Sequence, residues 1–312
     1  MSRIHEALKK AEQERAASQG SVMQSSVATT PVVEQPAYTE APVATVATPA
    51  PITAQLGMPT LSSTYSIDTL LARCAQLEWK PDPGTMLFLN GDDGVRGTEE
   101  FRTLRSRLYH LRENMPLKKV LITSALPKEG KSFTSSNLAQ VMVRQHGRRA
   151  LLIDADLRAP HLHEMLGTTS EPGLSDYLLG KNDEFSIMQR GPLENLFFIP
   201  SGSLAPDPAE LVGNGRLKML LQRVESLFDW IIIDSPPAVP VSDASVLAKA
   251  CDGVLMVVRS NSTPFDLARK AREEFPEQSL IGIVLNGTGE DALPYAQYYY
   301  ESYHRKVTPA RS

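Results

Sequence analysis

The chain has 312 residues, 36 acidic against 32 basic side chains, and a net charge of −4. That length suits one sizeable domain with extensions, and the charge excludes a protein that binds nucleic acid by bulk electrostatics. Cys74 and Cys251 are the two cysteines and form no Cys-x-x-Cys pair, which fits a reducing compartment and argues against structural zinc or an iron–sulfur cluster. Met1-Ser2-Arg3-Ile4-His5-Glu6 does not read as a signal peptide, and without a run of about 18 apolar residues no membrane span is expected.

Residues 1–16 read as an N-terminal helix, with Ile4, Ala7, Leu8 and Ala11 on one face and Ser2 as its cap. Either a frayed, solvated end or a small docking helix fits that pattern. Residues 17–62 are rich in Ala, Val, Thr, Pro, Ser and Gln and are interrupted by Pro31, Pro36, Pro42, Pro49, Pro51 and Pro59. This composition reads as a disordered linker of extended character. The folded domain is expected over 63–290, with order resuming near Ser66. Ile67, Leu70, Leu71, Cys74 and Leu77 form a helical stripe, and Thr85–Leu89 looks like a short strand stopped at Asn90-Gly91. A helix from Gly97 to Leu111 places Phe101, Leu104, Leu108 and Leu111 on one face.

From Lys119 onward two kinds of segment alternate. Strands are expected at 119–124, 149–154, 196–199, 229–234, 253–259 and 280–286, and helices at 132–146, 174–180, 208–227, 243–250 and 264–275. The strands are continuous apolar runs, such as Trp230-Ile231-Ile232-Ile233, so both faces of the sheet are buried. The fold class is therefore α/β, a mostly parallel sheet with helices on both faces and right-handed crossovers. Ligands of such sheets lie at the carboxyl ends of the strands.

The chain's chemistry is concentrated in Ala125-Leu126-Pro127-Lys128-Glu129-Gly130-Lys131-Ser132, between the first of these strands and its helix. Strand, tight loop and helix is the setting of a phosphate-binding loop, although Ala125 stands where the general pattern has Gly. The backbone amides from Lys128 to Phe133 and the positive end of the new helix would face phosphate oxygens. Lys131 would reach the β- and γ-phosphates, and Ser132 would hold Mg²⁺. Two more strands end in acids: Asp154 and Asp156 close one, and Asp234 closes the other. A single Asp there caps a turn as readily as it does chemistry. Three such acids on a sheet with a phosphate loop point to metal binding or proton transfer. Near the C-terminus, Tyr295, Tyr298, Tyr299, Tyr300 and Tyr303 crowd into Tyr-Ala-Gln-Tyr-Tyr-Tyr-Glu-Ser-Tyr. An aromatic strand would explain them, but the segment lacks aliphatic partners and runs into a polar end.

Taken together, Ala125–Ser132, Leu151–Pro160 and Ile231–Pro237 resemble the Walker A, Walker A′ and Walker B motifs of the bacterial tyrosine kinases (the BY-kinase, CpsD/CapB-like family). Supporting segments are Glu99–Arg105, Gly173–Gly180, Pro206–Leu211 and Ile281–Gly287, and the likeness runs from about Leu87 to the C-terminus. Related partition and division-site ATPases, which share the P-loop fold, carry a lysine where this chain has Leu126. The resemblance implies an ATP- and Mg²⁺-dependent protein tyrosine autokinase. In it Lys131 binds phosphate, Ser132, Asp156 and Asp234 organise the metal, and Asp154 accepts the substrate hydroxyl proton. Arg158 either touches phosphate or pairs with a nearby Asp, and Asn286 either lies on the adenine side or serves a turn. Lys128 stands where the family usually has Gly, and Phe133 where it often has a second hydroxyl residue. Glu99, Arg102 and Arg105 share one helix surface. They form either a solvated face or the family's subunit contact in a homo-oligomeric ring.

The resemblance further implies autophosphorylation of the tyrosine tail, residues 291–312, in trans, and a role in capsular or exopolysaccharide biosynthesis and export. It implies a separate inner-membrane polysaccharide co-polymerase, the chain-length regulator, as activator. A cognate tyrosine phosphatase and a cytoplasmic location, with peripheral recruitment to the inner membrane, follow from the same source. Two rivals are a nucleotide-gated assembly switch without kinase activity and a partition-type ATPase. The second calls for a basic or amphipathic C-terminal element rather than a tyrosine-rich one.

Overall fold

The computed structural model describes residues 66–88 and 97–289, all within one unit, Thr60–Ser312. The expected N-terminal helix, the linker and the tyrosine-rich tail lie outside the described residues. In chain order the elements are α1 (Ile67–Arg73), β1 (Ala75–Gln76), α2 (Thr98–Asn114), β2 (Lys119–Ser124), α3 (Lys131–Val143) and β3 (Ala150–Asp154). There follow α4 (Leu162–Leu166), α5 (Leu174–Leu178), β4 (Gln189–Arg190), β5 (Leu196–Ile199), α6 (Pro208–Gly213) and α7 (Arg216–Val224). The chain continues with β6 (Trp230–Asp234), α8 (Asp243–Ala248), β7 (Gly253–Arg259), α9 (Phe265–Glu273) and β8 (Leu280–Asn286).

The strands form one sheet in the order β1-β4-β5-β3-β6-β2-β7-β8. Every neighbouring pair is parallel except β4 with β5. Along β6 every residue is buried, as the unbroken apolar run requires of a strand covered on both sides. Leu121, Ile153, Ile231 and Ile233 face a core shared with α5, α7 and α8, through Leu174, Leu220, Leu221 and Leu247. Val120, Ile122, Leu152 and Ile232 face a second core, built by Phe101 and Leu108 of α2 and by Leu138, Val141 and Met142 of α3. The register aligns Asp154 with Asp234 and Ile122 with Asp234 across adjacent strands. The strand ends therefore present the loop after β2 and the acids of β3 and β6 side by side.

Three expectations need correction. Thr85–Phe88, the described part of the expected strand, is a turn. Its polar backbone is matched instead by one side chain, because Leu87 N–H donates to Asn137 Oδ1 at 2.8 Å and Asn137 Nδ2 donates to the Thr85 carbonyl at 2.8 Å. The helix expected at 208–227 is broken after Gly213, because Gly215 takes a left-handed φ of 81° as it starts α7. The N-terminal stripe stops at Arg73, and Ala75–Gln76 pairs parallel with Gln189–Arg190 as the sheet's edge. Such two-residue strands carry no readable period.

Ile232 is fully buried in the central strand that carries Asp234. Ile232→Ala should lower the unfolding free energy by about 2–5 kcal/mol in urea titration. A loss below about 1 kcal/mol would mean that α2 and α3 do not pack on this face.

Candidate active site

The loop after β2 is folded by its own residues. Ser124 donates its hydroxyl to the Leu126 carbonyl at 2.7 Å. Lys128 sits in the left-handed region at φ 65°, as its place in a family-typical glycine position suggested. For a residue with a Cβ this costs roughly 1 kcal/mol. Gly130 has φ 96°, and a Cβ built there would lie 2.0 Å from Asn286 Nδ2, so the close approach of that side chain requires glycine. No side chain caps α3. Its first-turn N–H groups therefore lack intrahelical acceptors and lie at the positive end of the helix dipole, a setting that attracts phosphate.

Beside this helix end the three acids converge, with Asp154 at 0%, Asp234 at 1% and Asp156 at 2% exposure. Ser132 Oγ donates to Asp234 Oδ2 at 2.6 Å, and Ser135 Oγ donates to Asp234 Oδ1 at 2.9 Å. Lys131 Nζ pairs with Asp156 Oδ2 at 2.8 Å. Asp156 Oδ1 accepts from Ala159 N–H at 3.0 Å. Asp154 accepts from the N–H groups of Asp156 and Leu162, each at 3.2 Å. Burial, followed by the charge of Asp234, raises the Asp154 pKa well above the usual carboxylate range against those two N–H bonds. Burial also raises Asp234, opposed by Lys131 and by the hydroxyls of Ser132 and Ser135. For Lys131 burial pulls the pKa down, but the fields of Asp234, Asp156 and Asp154 outweigh it and leave the pKa raised. The ammonium thus remains charged beside the acids.

The other expected site residues are placed as follows. Arg158 forms a two-pronged ion pair with the buried Asp243 of α8, at 2.8 and 2.9 Å. Asn286 Nδ2 donates to the Glu129 carbonyl at 2.9 Å. The Phe133 ring turns away from the loop and packs edge-on against Phe101, with centroids 5.9 Å apart, leaving only its backbone to the site. On α2, Arg102 pairs with Glu99, and Arg105 Nη1 donates to the Val141 carbonyl at 2.9 Å. Both arginines are engaged within the chain.

Sequence reasoning missed Ser135, although its place one helical turn after Ser132 was a usable signal. It also missed the Glu129 side chain, Arg259 and Thr263, which local spacing does not connect. Among the described residues no group of three or more His, Cys, Asp or Glu is arranged to hold a metal by itself. Mg²⁺ is commonly held by one or two carboxylates together with phosphate oxygens. The Ser132 hydroxyl beside Asp234, with Asp156 adjacent to Lys131, is a donor set that fits it.

A model described as an AAA domain matches residues 128–266. Tyrosine-protein kinase YwqD of Bacillus subtilis is 36% identical over 192 residues, which cover 61% of this chain and 81% of that protein. Tyrosine-protein kinase wzc of Salmonella typhimurium is 32% identical over 207 residues, covering 66% of this chain but only 29% of that longer protein. Among solved structures, the kinase domain of Escherichia coli tyrosine kinase ETK superposes with a TM-score of 0.60 at 27% identity, covering 70% of this chain and 91% of that one.

The raised Asp154 pKa carries a sign. The folded chain releases the Asp154 proton at a higher pH than the unfolded chain, which loses it near about pH 4. This group's contribution to stability therefore falls as pH rises past that point. Asp154→Asn removes the titration. In thermal melts without nucleotide, the midpoint of the variant minus that of the wild type should grow from about pH 5 to about pH 8. A flat difference would show that Asp154 titrates as an ordinary carboxylate.

Proposed function

The chain belongs to the bacterial tyrosine-protein kinases, and we propose that it transfers the γ-phosphoryl group of ATP to Tyr295, Tyr298, Tyr299, Tyr300 and Tyr303 of a neighbouring copy. The observation that carries this reading is the uncapped start of α3, with the Ser132 hydroxyl 2.6 Å from Asp234 and Lys131 on Asp156. In the reaction the loop amides from Lys128 to Phe133 grip the phosphates, and Lys131 leaves Asp156 to meet the β- and γ-phosphate oxygens. Ser132, Asp156 and Asp234 would hold Mg²⁺, which when bound would supply positive charge against the charge spread over the transferring group.

The tyrosine oxygen forms a bond to the γ-phosphorus as the bond to the β–γ bridging oxygen breaks and ADP leaves. The phenolic proton passes to Asp154. Reference pKa values near 10 for tyrosine and 3.9 for Asp place roughly 8 kcal/mol against removing that proton beforehand. Burial and the Asp234 charge raise Asp154 and narrow the gap. The proton therefore moves late, through a loose transition state, and most of the catalysis is positioning and charge neutralisation.

Strand β8 ends at Asn286, whose side chain touches the loop. Tyr295 follows nine residues later, a span of at most about 31 Å. Glu99, Arg102 and Arg105 on α2 are the proposed subunit contact of a ring, exchanging their present partners for ones across the interface. Each added phosphate carries about −1.5 to −2 charges, so a fully modified tail repels its neighbours and opens the ring. By family resemblance this cycle serves capsular or exopolysaccharide biosynthesis and export. An inner-membrane co-polymerase activates and recruits the kinase from the cytoplasm, and a tyrosine phosphatase resets it. No described helix is long and apolar enough to cross a membrane.

Mass spectrometry of residues 291–312 after incubation with Mg-ATP tests the reading. Phosphate should appear on the clustered tyrosines and fall by at least about 100-fold in Lys131→Met. Replacing all five tyrosines with Phe should leave an oligomer that no longer exchanges subunits. An unmodified wild-type tail, even with the activator present, would favour the assembly switch.

A further inference from the structure

The phosphate loop is held from outside by the ends of β7 and β8. Arg259 Nη1 donates to the Lys128 carbonyl at 3.0 Å, and Asn286 Nδ2 donates to the Glu129 carbonyl at 2.9 Å. Lys128 and Glu129 contribute two consecutive peptide units, and both carbonyls are therefore pinned toward the β7–β8 side. In a trans peptide the N–H points opposite to the C=O. With the two carbonyls pinned outward, the N–H groups of Glu129 and Gly130 must point to the loop's inner side.

Beneath them the Glu129 side chain acts as a strut. It is 3% exposed. Its Oε2 accepts from Leu126 N–H at 2.9 Å, and its Oε1 accepts from the Thr263 hydroxyl. Thr263 is fixed in turn, because its Oγ1 accepts from Arg259 N–H at 3.0 Å. The loop contains a left-handed Lys128. A strained residue of that kind persists where its surroundings over-determine it, and these contacts do so.

We infer that Arg259 and Thr263 are positioning residues for phosphoryl transfer. Through the Lys128 carbonyl and the Glu129 carboxylate they hold the loop in the one conformation that aims its amides at the nucleotide phosphates. Neither touches the reacting atoms. The inference rests on the proposal that the loop binds ATP and deepens it, by assigning the loop's shape to the turn between β7 and α9.

Thr263→Val keeps the side chain's volume and removes the hydroxyl, and Arg259→Met keeps most of its length and removes the guanidinium. Titration with ADP and Mg²⁺ should show binding weakened about tenfold in each variant. The KM for ATP should rise in parallel while kcat changes by less than about threefold. Thr263→Ser restores the hydroxyl and should restore ADP binding to within about threefold of wild type. Glu129→Gln can still accept from Leu126 and donate to Thr263, and should retain most of the affinity, whereas Glu129→Ala should lose it. Thermal melts without nucleotide separate a loss of loop shape from a loss of folding, since the Thr263 and Arg259 variants should melt close to wild type. If wild type binds ADP and both variants bind it equally well, the positioning role is overturned and the ATP site stands. If wild type binds no ADP, the ATP reading falls and this inference falls with it.

Discussion

One ammonium group stands over three buried carboxylates, and the rest of the site is arranged around that imbalance. Lys131 lies against Asp156 and within the fields of Asp154 and Asp234. In a dry interior, acids this close cannot all ionise without compensation. The chain compensates with hydroxyls on Asp234, backbone N–H groups on Asp154 and Asp156, and a raised pKa on Asp154. A divalent cation carried by the proposed nucleotide would supply the positive charge this cluster lacks.

The convergence follows from strand order rather than from any local signal. β3, β6 and β2 are neighbours in the sheet, and neighbouring strands lie about 4.8 Å apart. All three run in the same direction, so whatever follows each of them emerges at one edge within roughly 10 Å. Placing the phosphate loop after β2, Asp154 and Asp156 after β3, and Asp234 at the end of β6 is then enough to build the site. The two cores beneath, one on each face, keep that edge rigid.

On the far side of β2, strands β7 and β8 extend the sheet and carry Arg259, Thr263 and Asn286 onto the outer wall of the loop. The wall that shapes the phosphate cradle is thus also the edge from which the chain leaves toward its tyrosine-rich end.

Features encoded within a short stretch were legible from the chain alone. The six long strands lie within a residue of where their apolar runs placed them. Strands β2, β3, β5 and β6 are buried almost throughout, so no solvent-facing position blurs their pattern, whereas the edge strand β8, expected to be covered on both faces, exposes Ile283 and Leu285. The glycine-containing loop after β2 and the acids at the strand ends also follow from residue types at fixed short spacings, whereas the left-handed Lys128 was hinted at only by the family resemblance. The turn at Thr85–Phe88 could not be read, because its apolar residues resemble a strand until Asn137 claims the backbone polar groups around it. Arg158 could not be assigned until Asp243 stood opposite it. Ser132 meets Asp234 across 102 residues, Thr263 meets Glu129 across 134, and Asn286 meets Glu129 across 157. Sequence determined which groups the chain possesses and which local shapes they prefer, since propensity and period act over a few residues. Which groups face one another was decided only when the sheet closed, because hydrogen bonds and buried charges act through space and take no account of distance along the chain.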